Sequence, residues 1–182
     1  MTELARRVLL FALLGVGSGA AAAAAFERAD PQGFFYVFFL YVAPGLVFGV
    51  IFGAVLWHRR VLAAVRAVIY ALTAALAHAA AVVTALQLFE PLRHLLGGGD
   101  DPGLIACGVI AGAVGGGLLG VVTLWLAPVR GWALIAATGA LLGALLPVAV
   151  DVDALGPFIF YMIWQGGYAA TLALTLPRIE KV

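Results

Sequence analysis

The chain has 182 residues, of which 65% are hydrophobic and only 10% charged, and its mean hydropathy is +1.13. A soluble domain carries roughly 25% charged residues, so these figures exclude one. The net charge of +1 comes with no basic stripe that would hold nucleic acid.

The apolar residues fall into six blocks, at residues 8–26, 34–57, 61–89, 104–127, 132–150 and 157–176. Each is long enough to cross a hydrocarbon core of ~30 Å at ~1.5 Å per helical residue. The blocks are continuous, whereas barrel strands alternate apolar and polar residues, so helices are expected. The expected fold is a single all-α domain, a compact bundle of six transmembrane helices. Lys and Arg set its orientation, because positively charged loops stay cytoplasmic. Arg6, Arg7, Arg59, Arg60, Arg66, Arg130, Arg178 and Lys181 fall on one side of the six blocks and only Arg28 and Arg93 on the other. Both termini are therefore expected in the cytoplasm.

In the first block, Arg6 and Arg7, the apolar run from Val8 and the small residues Ala20 to Ala25 resemble a cleavable signal peptide. The run is nevertheless long enough to span, and it is expected to be retained. Ser18 lies ten residues into it, near mid-depth.

The second block carries Ala43, Pro44 and Gly45 at about the same depth. A proline there removes one backbone hydrogen bond, so a kink or short unwinding is expected, with a freed carbonyl that needs a partner. Gly45, Gly49 and Gly53 recur every four residues below it.

The third block presents Ala67, Ala71, Ala75 and Ala79 at the same spacing, with His78 at mid-depth. The fourth repeats the pattern as Gly108, Gly112, Gly116 and Gly120, and the fifth as Gly139 and Gly143, with Pro147 near its end. Such small-residue ridges let helix backbones approach closely in lipid, where van der Waals contact replaces the hydrophobic drive. They serve either packing within the bundle or contact with another subunit.

The sixth block places Trp164 and Gln165 near mid-depth. Ser18, Pro44, His78, Trp164 and Gln165 are thus candidate ligand-binding residues on the wall of one interior chamber, since polar groups in lipid turn inward. The alternative is that each bonds a neighbouring carbonyl and serves packing alone.

Before the helices that start outside, Asp30 precedes Pro31, Asp101 precedes Pro102, and Asp153 lies four residues before Pro157. These pairs suit the N-cap region and first turn. They are too dispersed for a calcium site.

Catalytic signatures are absent. Ser18 and His78 have no buried acid beside them, and Val16 stands where a GxSG nucleophile motif needs glycine. His58, His78 and His94 lie at three depths, too far apart for one metal or for paired haem ligation. No cofactor and no metal are expected, and the lone Cys107 precludes an internal disulfide. All acidic residues lie near a face, so ion coupling through a buried carboxylate is not expected.

The expected function is that of a small multi-pass protein of a bacterial-type inner membrane that binds or passes a neutral or weakly polar molecule near the bilayer midplane. The alternative is a non-catalytic structural or assembly subunit using its glycine-rich faces. Its expected partners are the lipid bilayer and either a membrane protein or a second copy of the chain.

Overall fold

The computed structural model describes residues 1–27, 34–151 and 155–176. Of these, 87% are helical and none forms a strand. The helices are α1 (Glu3–Glu27), α2 (Phe34–Tyr41), α3 (Ala43–His58), α4 (Ala64–Leu95), α5 (Asp100–Leu126), α6 (Trp132–Gly143), α7 (Leu146–Asp151) and α8 (Gly156–Thr175). Each apolar block becomes one helix or two placed end to end. Helices α1, α4 and α5 are long and apolar enough to cross a membrane by themselves, while α3 and α6 are shorter apolar helices.

Both interrupted blocks break at a proline. Proline lacks an N–H and its ring clashes with the carbonyl four residues earlier, but it suits the first turn of a helix. Accordingly α2 ends at Tyr41 and Pro44 sits in the first turn of α3. In the same way α6 ends at Gly143 and Pro147 opens α7. The carbonyls deprived of their usual donor are those of Leu40 and Gly143.

The helices close a ring in which α1 packs on α8, α8 on α6, α6 on α5, α5 on α4, α4 on α3, and α3 back on α1. Phe11, Phe52, Leu56, Tyr70 and Ile135 fill its middle. Small residues set the spacing at three contacts. A methyl group on Gly45, Gly49 or Gly53 of α3 would meet the α4 backbone at Ala74, Ala71 or Ala67. On α5, Gly108 and Gly112 face Gly143 and Gly139 of α6 reciprocally, each Cα turned toward the other's carbonyl oxygen. These are paired Cα–H···O contacts that a side chain on either partner would block. They also supply a neighbour for the Gly143 carbonyl left over by Pro147. Gly15 and Gly19 of α1 stand equally close to the Gln165 and Tyr161 carbonyls of α8.

The outward surface is apolar, with Leu72, Leu76, Leu118, Trp125 and Leu141 exposed. One end of the bundle is cationic. There the Arg7 guanidinium donates to the Leu176 carbonyl (3.2 Å), Arg66 to the Leu126 carbonyl (3.4 Å), and Arg59 lies over the Phe11 ring. At the opposite end Arg93 joins Glu90 (2.9 Å) and Asp100 (3.3 Å) across the α4–α5 corner. Asp100 and Asp101 occupy the first turn of α5, where they complement the helix dipole. The cap itself is Gly99, and no side chain bonds there. Arg28, Asp30, Pro31, Asp153, Arg178 and Lys181 lie outside the described residues.

Candidate functional site

The break before Pro44 organises the polar interior. The Leu40 carbonyl, four residues before the proline, accepts a hydrogen bond from His78 Nε2 at 3.1 Å. The Pro44 carbonyl accepts one from Gln165 Nε2 at 3.1 Å, and Gln165 Oε1 in turn accepts from Ser18 Oγ at 2.5 Å. Side chains from α1, α4 and α8 thus converge on one discontinuity in the second block. Glycine makes this convergence possible. Gly45 lies against the Ala74 carbonyl and the His78 Cβ, so α4 comes near enough for the imidazole to reach Leu40. Gly15 and Gly19 bring α1 onto α8 beside Gln165.

Ser18 and Gln165 are both fully buried, at 0% and 1% exposure, and they spend their polar atoms on each other and on the Pro44 carbonyl. His78 is different. It is 6% exposed, its Nε2 is committed to Leu40, and its Nδ1 has no hydrogen-bond partner among the described residues. Because a carbonyl can only accept, Nε2 must carry the proton, and in the neutral ring Nδ1 is then a bare acceptor. The tautomer follows from the bonding partner rather than from a visible hydrogen.

His78 borders two spaces. The smaller, about 20 Å³, is lined by His78, Trp164, Gln165, Phe48 and Tyr168 among others, which is room for about one water molecule. The larger, about 390 Å³, lies between the Arg93 end of α4, the first half of α5, α7 and the start of α8. Its lining includes Phe89, Cys107, Leu146, Phe160, Tyr161 and Trp164 along with His78, and no charged side chain occurs in it among the described residues. The volume falls within the ~300–1,000 Å³ range of small-molecule sites, and an apolar wall with a few convergent polar groups is their usual makeup.

Aromatic rings form the boundary between the two spaces. The Trp164 ring lies 5.5 Å from His78, 5.1 Å from Tyr168 and 6.2 Å from Phe160, stacked on the last. Tyr161 lies 6.0 Å from His78. Below this layer the Tyr168 hydroxyl donates to the Gly112 carbonyl at 3.4 Å, in a notch left open by Gly116 and Gly139.

The five candidate residues therefore gather around the Pro44 break but do not line one chamber. His78 and Trp164 border the large cavity, Gln165 reaches only the small one, and Ser18 and Pro44 border neither. Depth along a helix brought them to one level, whereas rotation about the helix axis separated them. Cys107, Phe160 and Tyr161 were missed as wall residues, and their apolar surroundings in the sequence carry no signal for them. No group of three or more His, Cys, Asp or Glu suited to a metal occurs among the described residues. Comparison with protein-family models, with curated proteins and with solved structures finds no match.

Proposed function

We propose that the chain is a multi-pass membrane protein with six spans and both termini in the cytoplasm, and that it binds or passes a neutral or weakly polar small molecule through the cavity beside His78. The interrupted pairs α2–α3 and α6–α7 each complete one crossing in this reading. The observation that carries the binding role is the cavity of about 390 Å³ bordered by His78, Tyr161 and Trp164, with no charged residue in its lining among those described. With the cationic end of the bundle facing the cytoplasm, the cavity lies in the outer half of the membrane. His78 and Trp164 then contact the bound molecule, while Ser18, Gln165 and Pro44 hold the helix break that positions them.

A role as a subunit built on glycine faces draws no comparable support. The ridges at Gly45, Gly49 and Gly53 and at Gly108 and Gly112 are occupied by α4 and α6 of the same chain.

Two measurements test this reading. A reporter fused after Val182 is expected to give a cytoplasmic signal, and an external one would overturn the orientation and the span count together. Cys107, the chain's single cysteine, is buried, so Ala85→Cys, at a half-buried wall residue, is made in a Cys107→Ala background, and alkylation of the new thiol reports occupancy. Twelve-carbon probes added to the protein in phosphatidylcholine nanodiscs are expected to slow that alkylation several-fold. An unchanged rate would count against the cavity as a binding site.

A further inference from the structure

We infer that the corner between α3 and α4 binds the phosphate of an anionic phospholipid, with Arg60 as its principal ligand and Arg59 and Arg66 in support. This rests on the membrane reading above but not on the cavity, which lies toward the opposite end of the bundle.

The backbone sets Arg60 apart. Helix α3 closes with the Val61 N–H on the Leu56 carbonyl (2.9 Å) and the Arg60 N–H on the Trp57 carbonyl (2.8 Å), the two bonds of a Schellman cap. Such a cap holds one residue in the left-handed region, and here that residue is Arg60, at φ 58°. Glycine is the usual choice, because a Cβ is strained there. Every other positive φ among the described residues does belong to glycine, at Gly97, Gly98 and Gly131.

The ordinary uses of a cation do not offset that strain. A positive charge at a helix C-terminus complements the dipole, but by less than left-handed backbone costs a residue with a Cβ. His58 and Arg59 already stand at the end of α3. The inside bias of basic residues is met by a charge anywhere in the loop, so it does not require one at the strained position. A strained residue kept without a structural return points to function. The Arg60 side chain is exposed and has no ion pair among the described residues.

The surroundings fit a phosphate at the edge of a bilayer. Arg59 lies over the Phe11 ring, and Arg66, in the first turn of α4, donates to the Leu126 carbonyl, which steadies both guanidinium groups within the corner. The planar fork of arginine matches phosphate oxygens. Glu3 is the only acidic side chain described at this end, whereas Arg93 at the other end is held by two carboxylates. Trp57, Trp125 and Trp132 are exposed at the ends of α3 and α5 and the start of α6. Tryptophan collects at the level of lipid headgroups, so a phospholipid meets Arg60 there before an acidic protein does. An anionic headgroup supplies the missing counter-charge, while a choline headgroup brings another cation.

The test reads the unfolding temperature of the full chain in dodecyl maltoside micelles doped with phosphatidylglycerol or, at equal mole fraction, phosphatidylcholine. Phosphatidylglycerol is expected to raise it by several degrees over phosphatidylcholine. Arg60→Gly is expected to unfold about 2 °C above the wild type in phosphatidylcholine, because the strain is relieved, and yet to lose at least half of the phosphatidylglycerol increment. Arg60→Gln keeps the strain and should lose the increment without that gain. Arg130→Gln, at the same end but outside the corner, should keep most of it.

An increment undiminished in both Arg60 variants would overturn the site and leave only diffuse attraction to the basic end. A wild type indifferent to phosphatidylglycerol would overturn it too, and would turn the arginines toward an acidic protein. Glycerol phosphate in place of the lipid is expected to do nothing, and a rise equal to that of phosphatidylglycerol would overturn the lipid as the source of the phosphate. A lower unfolding temperature for Arg60→Gly in phosphatidylcholine would remove the strain from which Arg60 is assigned. The reporter and alkylation measurements above do not depend on any of these outcomes.

Discussion

Gly112→Ala is expected to destabilise the protein and Gly117→Ala to leave it level or more stable, although both replace a glycine in the same helix. Alanine is favoured over glycine within a helix by about 1 kcal/mol, and at Gly117 nothing lies within 4 Å of the added methyl. At Gly112 the methyl meets the Gly139 carbonyl, part of a backbone that cannot rotate aside as a side chain would. Overpacking of this kind costs about 1–3 kcal/mol. The net loss at Gly112 should reach about 2 kcal/mol at most, a fall of roughly 4–8 °C in unfolding temperature for a chain of this size. Gly112→Leu should go further and prevent α5 from seating on α6. Thermal unfolding of the detergent-solubilised variants measures both effects. An unfolding temperature for Gly112→Ala at or above that of Gly117→Ala would show that the two backbones are not in contact.

Gln165→Leu is expected to have the larger single effect. It removes the acceptor of the Ser18 hydroxyl and the side-chain donor of the Pro44 carbonyl; the carbonyl keeps its place in the first turn of α3, so the orphaned hydroxyl dominates at about 1–3 kcal/mol. With about 1 kcal/mol for the lost Gln165–Pro44 hydrogen bond, the expected total is about 2–4 kcal/mol. Ser18→Ala alone should cost less, because Gln165 keeps its bond to Pro44. Once Gln165 is gone, adding Ser18→Ala should cost almost nothing more, and a double-mutant cycle reads that coupling directly. Strict additivity of the two substitutions would mean that the three groups do not act as one network.

Much of the helix layout was legible in the chain because long apolar runs leave the backbone few other choices. A backbone that cannot bond to water must bond to itself, so uninterrupted apolar runs become helices, and the two runs that break do so where a proline withholds an N–H. Depth was legible too, since rise per residue is nearly constant, and this brought Ser18, Pro44, His78 and Gln165 to one level. Facing was not. In a soluble helix a polar stripe marks the outside, but here Leu72 and Leu76 face outward while Ala71, Ala74 and Ala75 face inward, and both faces are apolar. Size distinguishes them better than polarity does, with small residues at contacts and large ones outside. The cavity was invisible for a related reason. It opens between Ala81 and Ala85 of α4, Cys107 and Ala111 of α5, Ala149 of α7 and Tyr161 of α8, and a deficit of volume shared by four helices leaves no trace in any one of them.

The pairing of α1 with α8 bears on how the protein is made. Ser18 leaves the ribosome 147 residues ahead of Gln165, the Pro44 carbonyl 121 residues ahead of the same side chain, and Arg7 169 residues ahead of the Leu176 carbonyl it grips. Helices α1 and α3 are therefore made before the partners of these polar groups, and α8, with the Leu176 carbonyl just after it, supplies all three. A nascent chain stalled before Gly156 leaves the Ser18 hydroxyl without Gln165 and the Pro44 carbonyl without its side-chain donor. In a membrane, where such groups would cost several kcal/mol each, that loss would distinguish a chain lacking α8 from one that has it.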